Sequence, residues 1–292
     1  MGLAEWFSVF CGNLSIPLDK RSSISTRYQN ITKRLNMDFW NSSSETLHSL
    51  YVGSYGRDTA INGFSDLDML FVLPFEIYQQ YNSYSGNGQS ALLQAVRSSM
   101  RQTYSSTDIG ADGQVVIVSF TDGITFEVVP CFINNDKSYS YPDSNSGGTW
   151  KVTNPKPEIE AISTGDGKWN GNLKRLCRMA RAWKNKWDVP MGGLLIDTFA
   201  FRFLDGWVDN EKSFLYFDWM SRDFFKYLMN QDDNKVYWYA IGSNQSIDRS
   251  GSFTNKAKQC YNIALEAIEK EKDYPSTAKS KWREIYGSQF PS

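Results

Sequence analysis

The chain has 292 residues, a formal net charge of −1 and a hydrophobic fraction of 41%, which is enough to bury one large core or two lobes. Its 31 Lys and Arg residues are scattered and balanced by 32 Asp and Glu residues, so a long nucleic acid is not an expected partner. One His and four widely spaced Cys residues exclude a zinc module. Neither a secretory signal nor a transmembrane run is evident, which predicts a cytoplasmic protein without membrane contact.

The first candidate for a functional site follows the N-terminal 40 residues, which we predict to be helical. The apolar residues 50–52 read as a strand, and Gly53-Ser54 follows them directly. A Gly-Ser turn can direct backbone N–H groups and one hydroxyl toward phosphate oxygens, so Gly53 and Ser54 are candidate nucleotide-binding residues. Gly-Ser pairs also begin at Gly242, Gly251 and Gly287, but none of these is followed by an Asp-x-Asp pair.

The second candidate is a pair of carboxylates, Asp66 and Asp68, at the start of an apolar run that ends at Pro74. Alternate residues of a strand face the same side, and two carboxylates on one face suit Mg²⁺ ions that also bind substrate phosphates. At this Asp content about one Asp-x-Asp pair is expected by chance, and a solvated strand end is the alternative interpretation. The combination with Gly53-Ser54 and the buried strand favours metal ligation, because unpaired buried charge is costly.

A third carboxylate, Glu127, lies on a predicted hairpin. Residues 115–120 and 124–129 read as two strands, and the Asp122-Gly123 turn between them is a strong hairpin signal. Strand alternation directs Glu127 away from the face that carries Phe126 and Val128. The alternative is a glutamate of an edge strand that faces water. After this hairpin, residues 134–148 are rich in Ser, Asn, Asp and Gly and predict a surface loop or a long hairpin tip.

The C-terminal half is predicted to be mainly helical, and residues 172–184 form its most informative helix. An apolar stripe recurs there at helical spacing, and Lys174, Arg178 and Arg181 share a neighbouring face. Such a row of cations is usually a solvated flank, and that interpretation stays open from the residues alone.

Together these motifs resemble the DNA polymerase β-type nucleotidyltransferase superfamily. Within it, the chain is most similar to the bacterial relatives of animal cyclic GMP-AMP synthase, the cyclic-oligonucleotide synthases (CD-NTases) of antiphage signalling operons. Residues 53–61, which read Gly-Ser-Tyr-Gly-Arg-Asp-Thr-Ala-Ile, are close to that family's Gly-Ser-Tyr-x-Arg-x-Thr-Ala-Ile. Two departures are evident: Glu127 stands where the family usually has Asp, and Gly192-Gly193 stands where it often has Ser-Ser. The zinc-containing DNA-sensing insert of the animal enzyme is also missing.

The resemblance implies an α+β fold with two lobes. Residues 1–150 would form the N-terminal helix and a mixed-sheet catalytic palm, and residues 151–292 would form a helical nucleotide-binding lobe. Asp66, Asp68 and Glu127 would be the catalytic metal ligands for Mg²⁺, with Mn²⁺ as an alternative. Gly53, Ser54 and Arg181 would bind the triphosphate.

The implied activity is synthesis of a cyclic oligonucleotide second messenger, with nucleoside triphosphates as donor and acceptor and pyrophosphate as the second product. A separate effector protein would read the product in antiviral signalling. The mode of activation stays open between constitutive activity, a regulatory partner protein of unknown identity and release of an inhibitory metabolite. An RNA-tailing enzyme, a small-substrate transferase and an inactive nucleotide-binding module are the alternatives. The absence of a basic track for an RNA strand disfavours the first. Residues 153–204, which resemble a second block of the family, disfavour the second, and the presence of all three carboxylates disfavours the third.

Overall fold

The computed structural model describes residues 2–63 and 66–292. The α-helices are α1 Leu3–Leu14, α2 Leu18–Phe39, α3 Gly53–Gly56, α4 Phe75–Asn82, α5 Gly88–Thr103, α6 Pro155–Lys168, α7 Asn172–Trp187, α8 Gly193–Gly206, α9 Phe217–Met229, α10 Thr254–Lys270 and α11 Pro275–Tyr286. The β-strands are β1 Ser49–Tyr51, β2 Asp66–Val72, β3 Asp108–Asp112, β4 Val115–Ser119, β5 Thr125–Ile133, β6 Tyr139–Asp143, β7 Thr149–Thr153, β8 Tyr237–Tyr239 and β9 Ser246–Asp248. This content confirms the predicted α+β class.

The chain divides into two compact units. The sheet unit comprises Pro17–Gly56 and Gly63–Lys156, and the helical unit comprises the residues up to Ile16, Arg57–Asn62 and Pro157–Ser292. The sequence-based division assigned all of residues 1–150 to the catalytic lobe, whereas α1 and Arg57–Asn62 pack with the helical unit. As a statement about separately folding domains, the sequence-based division stays a prediction.

A mixed sheet forms the body of the sheet unit. Its strands run in the order β1-β2-β5-β4-β3, and β6 and β7 extend it from β5. The pair β2–β5 is parallel and the other pairs are antiparallel. The predicted strands at 50–52, 66–73, 115–120 and 124–129 all lie in this sheet. Helices α2 and α5 pack against each other, and α5 also packs against the sheet's strands.

Alternation along β2 and β5 separates the carboxylates from the apolar side chains at the start of both strands. In β2, Leu67, Met69 and Phe71 are fully buried, whereas Asp66 is exposed and Asp68 is half-buried. In β5, Phe126 and Val128 are fully buried. The carboxylates therefore lie on the opposite face from these apolar side chains, as the period of two predicts.

The hairpin between β4 and β5 is present as predicted. Gly123 has φ +83°, which glycine adopts without strain, and its N–H donates to the Phe120 carbonyl at 3.0 Å. Arg27 of α2 holds the turn by donating to both carboxylate oxygens of Asp122 at 2.9 Å. Hydrogen bonding by Arg27 is the main reason that the pKa of Asp122 lies below its usual value.

The prediction for residues 134–148 was wrong in one respect. The segment contains the strand β6, which pairs with β5 and with β7 instead of leaving the sheet as a loop. Although the segment is polar in composition, the side chains of Tyr139 and Asp143 are buried. The Asp143 carboxylate pairs with Lys151, with 2.5 Å between Asp143 Oδ2 and Lys151 Nζ. Cross-strand pairing thus overrides the local turn signal.

In the helical unit, large aromatic side chains form the core. Trp169, Trp183, Trp238 and Trp282 are all less than 3% exposed. The predicted apolar stripe of α7 is also confirmed, because Leu173, Leu176 and Ala180 are buried. Helix α10, Thr254–Lys270, is amphipathic and buries one side, which includes Ala257, Cys260 and Ala264. None of the helices that the structure describes is both long and apolar enough to cross a membrane.

Candidate active site

Gly53 lies directly against the carboxylate of Asp68. Its backbone has φ +60°, and a Cβ atom at this position would be 1.7 Å from Asp68 Oδ2. Two independent features therefore require glycine at position 53: the left-handed backbone conformation and the lack of space for a Cβ atom. The Val52 N–H also donates to the Asp68 carbonyl at 2.9 Å, and Ser54 follows in the single helical turn α3. The structure thus brings the Gly-Ser turn and the Asp-x-Asp strand together.

The third carboxylate is brought to the same place by strand register. In the parallel pair β2–β5, Asp68 is the direct partner of Glu127, and Asp66 is the partner of Thr125. Directly paired residues share a face and lie about 4.8 Å apart in neighbouring strands. Asp66, Asp68 and Glu127 therefore project from one face of the sheet, although about sixty positions separate Glu127 from the aspartate pair in the sequence.

The electrostatics of the face are those of a cation site. Burial is the main factor that raises the pKa of Glu127, and the negative charges of Asp68 and Asp66 raise it further. The negative charges of Asp68 and Asp66 disfavour the ionisation of Glu127, and a bound divalent cation would relieve this effect. Carboxylate oxygens are also the ligands that Mg²⁺ prefers. The register and the donor chemistry fit a Mg²⁺ site.

The side chains themselves are not gathered around one point. Across residues 2–63 and 66–292, no group of three or more Asp, Glu, His or Cys side chains is placed so that it could hold a metal ion. The backbone register brings the three carboxylates to one face, but binding an ion requires their side-chain torsions to change.

Arg181 is not exposed in the way expected of a phosphate-binding residue. Its side chain is buried, and Nη1 and Nη2 donate to the two oxygens of Asp197 at 2.6 and 2.9 Å. Burial alone would raise the pKa of Asp197, but the charges of Arg181 and Arg57 outweigh burial and lower it to about 2. The role of Arg181 toward a triphosphate stays a prediction.

Asp197 and its partners were missed by the sequence analysis. Arg57 Nε donates to Asp197 Oδ2 at 2.8 Å, and the Thr59 hydroxyl donates to the same oxygen at 2.9 Å. Two signals were available: Asp197 interrupts the otherwise uncharged first half of helix α8, and Arg57 and Thr59 belong to the family-like motif. An isolated acid on an apolar helix usually requires a buried cationic partner.

The other two cations of the α7 row bind the residue between Arg57 and Thr59. Lys174 Nζ lies 3.2 Å from Asp58 Oδ2, and Arg178 Nη2 donates to Asp58 Oδ1 and to its carbonyl, both at 2.8 Å. Lys174 and Arg178 thus share a face of α7, as predicted, and both bind Asp58 in the segment Arg57–Asn62.

A mixed sheet that presents an Asp-x-Asp pair beside a Gly-Ser turn, with a third carboxylate on the adjacent strand, defines the class of nucleotidyltransferases. Solved structures with the same fold include CdnC of E. coli MS115-1 in its HORMA-deltaN complex, with a TM-score of 0.73, 15% identity and coverage of 99% of this chain and 98% of that chain. CdnG of Bradyrhizobium diazoefficiens, in complex with GTP, matches with a TM-score of 0.70, 9% identity and coverage of 99% and 96%.

Sequence comparison specifies the family. Residues 1–165, more than half of the chain, match the Second Messenger Oligonucleotide or Dinucleotide Synthetase (SMODS) domain, and the chain belongs to this family of CD-NTases related to cyclic GMP-AMP synthase. A probable cyclic nucleotide synthase of Bacillus cereus strain VD146 is 22% identical over an alignment of 275 residues, and the match covers 82% of this chain and 81% of the relative. The class predicted from the sequence is confirmed, and the chain is a nucleotidyltransferase of the cyclic nucleotide synthase type.

Proposed function

We propose that this chain synthesises a cyclic oligonucleotide second messenger from nucleoside triphosphates by two-metal nucleotidyl transfer, with release of pyrophosphate, in antiviral signalling. The observation that carries the proposal is the β2–β5 register, which pairs Asp68 with Glu127 while Gly53 touches the Asp68 carboxylate. A phosphate-binding turn and a three-carboxylate face in direct contact are what nucleotidyl transfer requires.

The three carboxylates would divide the metal ligation between them. Asp66 and Asp68 would hold two Mg²⁺ ions, or Mn²⁺ ions in their place, and Glu127 would hold one of the two. When bound, such ions lower the pKa of an acceptor ribose hydroxyl and neutralise the departing pyrophosphate. Gly53 and Ser54 would orient the donor triphosphate, through backbone N–H groups and one hydroxyl.

Arg181 is the remaining proposed phosphate ligand. Its guanidinium is engaged by Asp197, so contact with a phosphate would require it to exchange one anionic partner for another. Asp197 would keep Arg57 and Thr59 as donors after such an exchange. The exchange is therefore less costly than exposing an unpaired buried carboxylate.

Nucleoside triphosphates as substrates are supported by the fold relatives. CdnG was solved with GTP and CdnC with ATP, and the cyclic AMP-GMP synthase DncV of Vibrio cholerae was solved with the linear intermediate pppA(3',5')pG. We infer a linear dinucleotide intermediate for this chain as well. CdnC was also solved with HORMA-deltaN, which supports a regulatory protein partner, of unknown identity here.

The activity is tested by incubating the purified chain with all four nucleoside triphosphates and Mg²⁺, followed by phosphatase treatment. We expect a phosphatase-resistant small product from the wild type and none from Asp68→Asn. Asp112→Asn, which removes an exposed carboxylate at the end of β3, is the matched control and should retain the activity. Elongated RNA or a modified small acceptor in place of a cyclic product would instead identify an RNA-tailing or small-substrate transferase.

The signalling role is tested in cells. Bacteria that express the wild type or Asp68→Asn are infected with phage, and their small nucleotides are extracted before and after infection. A cyclic product that rises on infection only with the wild type is expected. A product level that infection does not change would contradict the antiviral role, while leaving the synthase activity intact.

A further inference from the structure

The segment Arg57–Asn62 is fastened within the helical unit along most of its length. Ala60 and Ile61 are each 4% exposed, and the Asn62 N–H donates to the Leu14 carbonyl at 2.8 Å. Asp58 adopts φ +54°, a left-handed conformation that is uncommon among non-glycine residues, and its ion pairs with α7 stabilise that conformation. A solvent-exposed linker would not require contacts of this number and kind.

Asp197 is the acceptor on which these contacts converge. It is 0% exposed and accepts hydrogen bonds from two residues of the segment, Arg57 and Thr59, and from Arg181 of α7. Arg57 also lies 3.7 Å from the buried carboxylate of Glu158, so two cations and two anions balance inside the helical unit. A buried pair of this kind contributes more to a single geometry than to stability itself.

Arg181 is equally fixed. Besides Asp197, its guanidinium donates to the carbonyls of Cys177 and Gly193, both at 3.2 Å. A Cβ atom on Gly193 would be 3.3 Å from Arg181 Nη2, a close approach that glycine avoids. The position of Arg181 is therefore set by the backbone of α7 and α8 and by a single carboxylate.

We infer that Asp197 is a positioning residue for the segment Arg57–Asn62, which follows the Gly53–Gly56 turn directly in the chain. Arg57 is covalently bonded to Gly56, the last residue of that turn, so fixing Arg57 and Thr59 restricts where the turn can end. If the chain has the proposed function, Asp197 sets the affinity for the triphosphate without contacting it. Loss of its contacts should raise KM for the nucleotide more than it lowers kcat.

The test compares Thr59→Val, which removes the hydroxyl at nearly constant shape, with Thr59→Ser, which keeps the hydroxyl. Tyr286→Phe is the matched control, because it removes a buried hydrogen bond of similar length to Ser221, at 2.8 Å, elsewhere in the helical unit. The measurements are melting temperature, KM and kcat for the triphosphates, and hydrogen–deuterium exchange of peptides covering residues 53–62 without nucleotide.

We expect Thr59→Val to raise KM about 5- to 10-fold, as one lost hydrogen bond permits, with kcat changed less than about twofold. Exchange in residues 53–62 should accelerate in Thr59→Val, while Thr59→Ser should resemble the wild type. Tyr286→Phe should lower the melting temperature to a similar extent without changing KM or this exchange. Asp197→Asn, which keeps the shape of the side chain, should show the larger effect and serves as the second variant if Thr59→Val does not fold.

An unchanged exchange rate in residues 53–62, or equal KM values for Thr59→Val and Tyr286→Phe, would overturn the positioning role and leave Asp197 a stabilising residue only. The exchange measurement needs no turnover. A wild type that makes no cyclic product would therefore refute the proposed function, whereas the exchange comparison would still decide whether Asp197 holds the segment.

Discussion

Replacing Gly53 by Ala tests whether the Gly-Ser turn and the metal-binding carboxylates form one site. The new Cβ atom would be 1.7 Å from Asp68 Oδ2, and contacts below 3.0 Å essentially never occur, so the carboxylate or the turn must move by at least the difference, 1.3 Å. A displacement of about 1 Å in a reacting group can cost about a hundredfold in rate. The left-handed backbone adds about 1–2 kcal/mol of strain.

Gly123→Ala separates the two effects. Gly123 also has positive φ, at +83°, but a Cβ atom added there would meet nothing within 4 Å, so this variant carries the strain without the collision. Gly123→Ala should lose about 1–2 kcal/mol of unfolding free energy in urea, and Gly53→Ala should lose at least as much. Only Gly53→Ala should lower kcat for nucleotide transfer about a hundredfold or more. Equal activity of the two variants would refute the placement of Asp68 against the turn.

Four further predictions concern the site. Glu127→Gln should leave donor triphosphate binding nearly intact but lower the rate of the chemical step several hundredfold in single-turnover measurements. Glu127→Asp should recover part of that rate. Normal turnover in Glu127→Gln would exclude Glu127 as the third metal ligand. Because the pKa of Glu127 is raised, activity should fall as pH decreases through that pKa. In a rate–pH profile, a higher Mg²⁺ concentration should move this loss of activity to lower pH. A loss that does not depend on Mg²⁺ would contradict metal ligation by Glu127. In metal-free protein the same raised pKa means that stability decreases as pH rises through it, so Glu127→Gln should melt at a higher temperature than the wild type above that pH. Arg181→Ala should lower the unfolding free energy by about 3 kcal/mol, because it breaks a buried ion pair, and should raise KM more than it lowers kcat; an unchanged KM would limit Arg181 to a structural role.

Local signals in the sequence were sufficient for the elements that carry the site. Strand alternation placed Asp66 and Asp68 on one face, and the Asp122-Gly123 dipeptide predicted the hairpin that precedes Glu127. These inferences succeed because side-chain direction and turn conformation depend on neighbouring residues only. The composition of residues 134–148 led to a wrong prediction because the pairing of β6 with β5 and β7 does not depend on neighbouring residues.

Only the tertiary structure decided which distant residues meet. The parallel pairing of β2 with β5 makes Asp68 the neighbour of Glu127, and no local pattern specifies a parallel register between strands so far apart in sequence. Likewise, the pattern of α7 predicted a row of cations, but burial determined that Arg181 faces Asp197 while Arg178 reaches Asp58. A charge on a helix is satisfied by whatever the fold packs against it, and that partner is chosen by long-range packing rather than by the helix's own sequence.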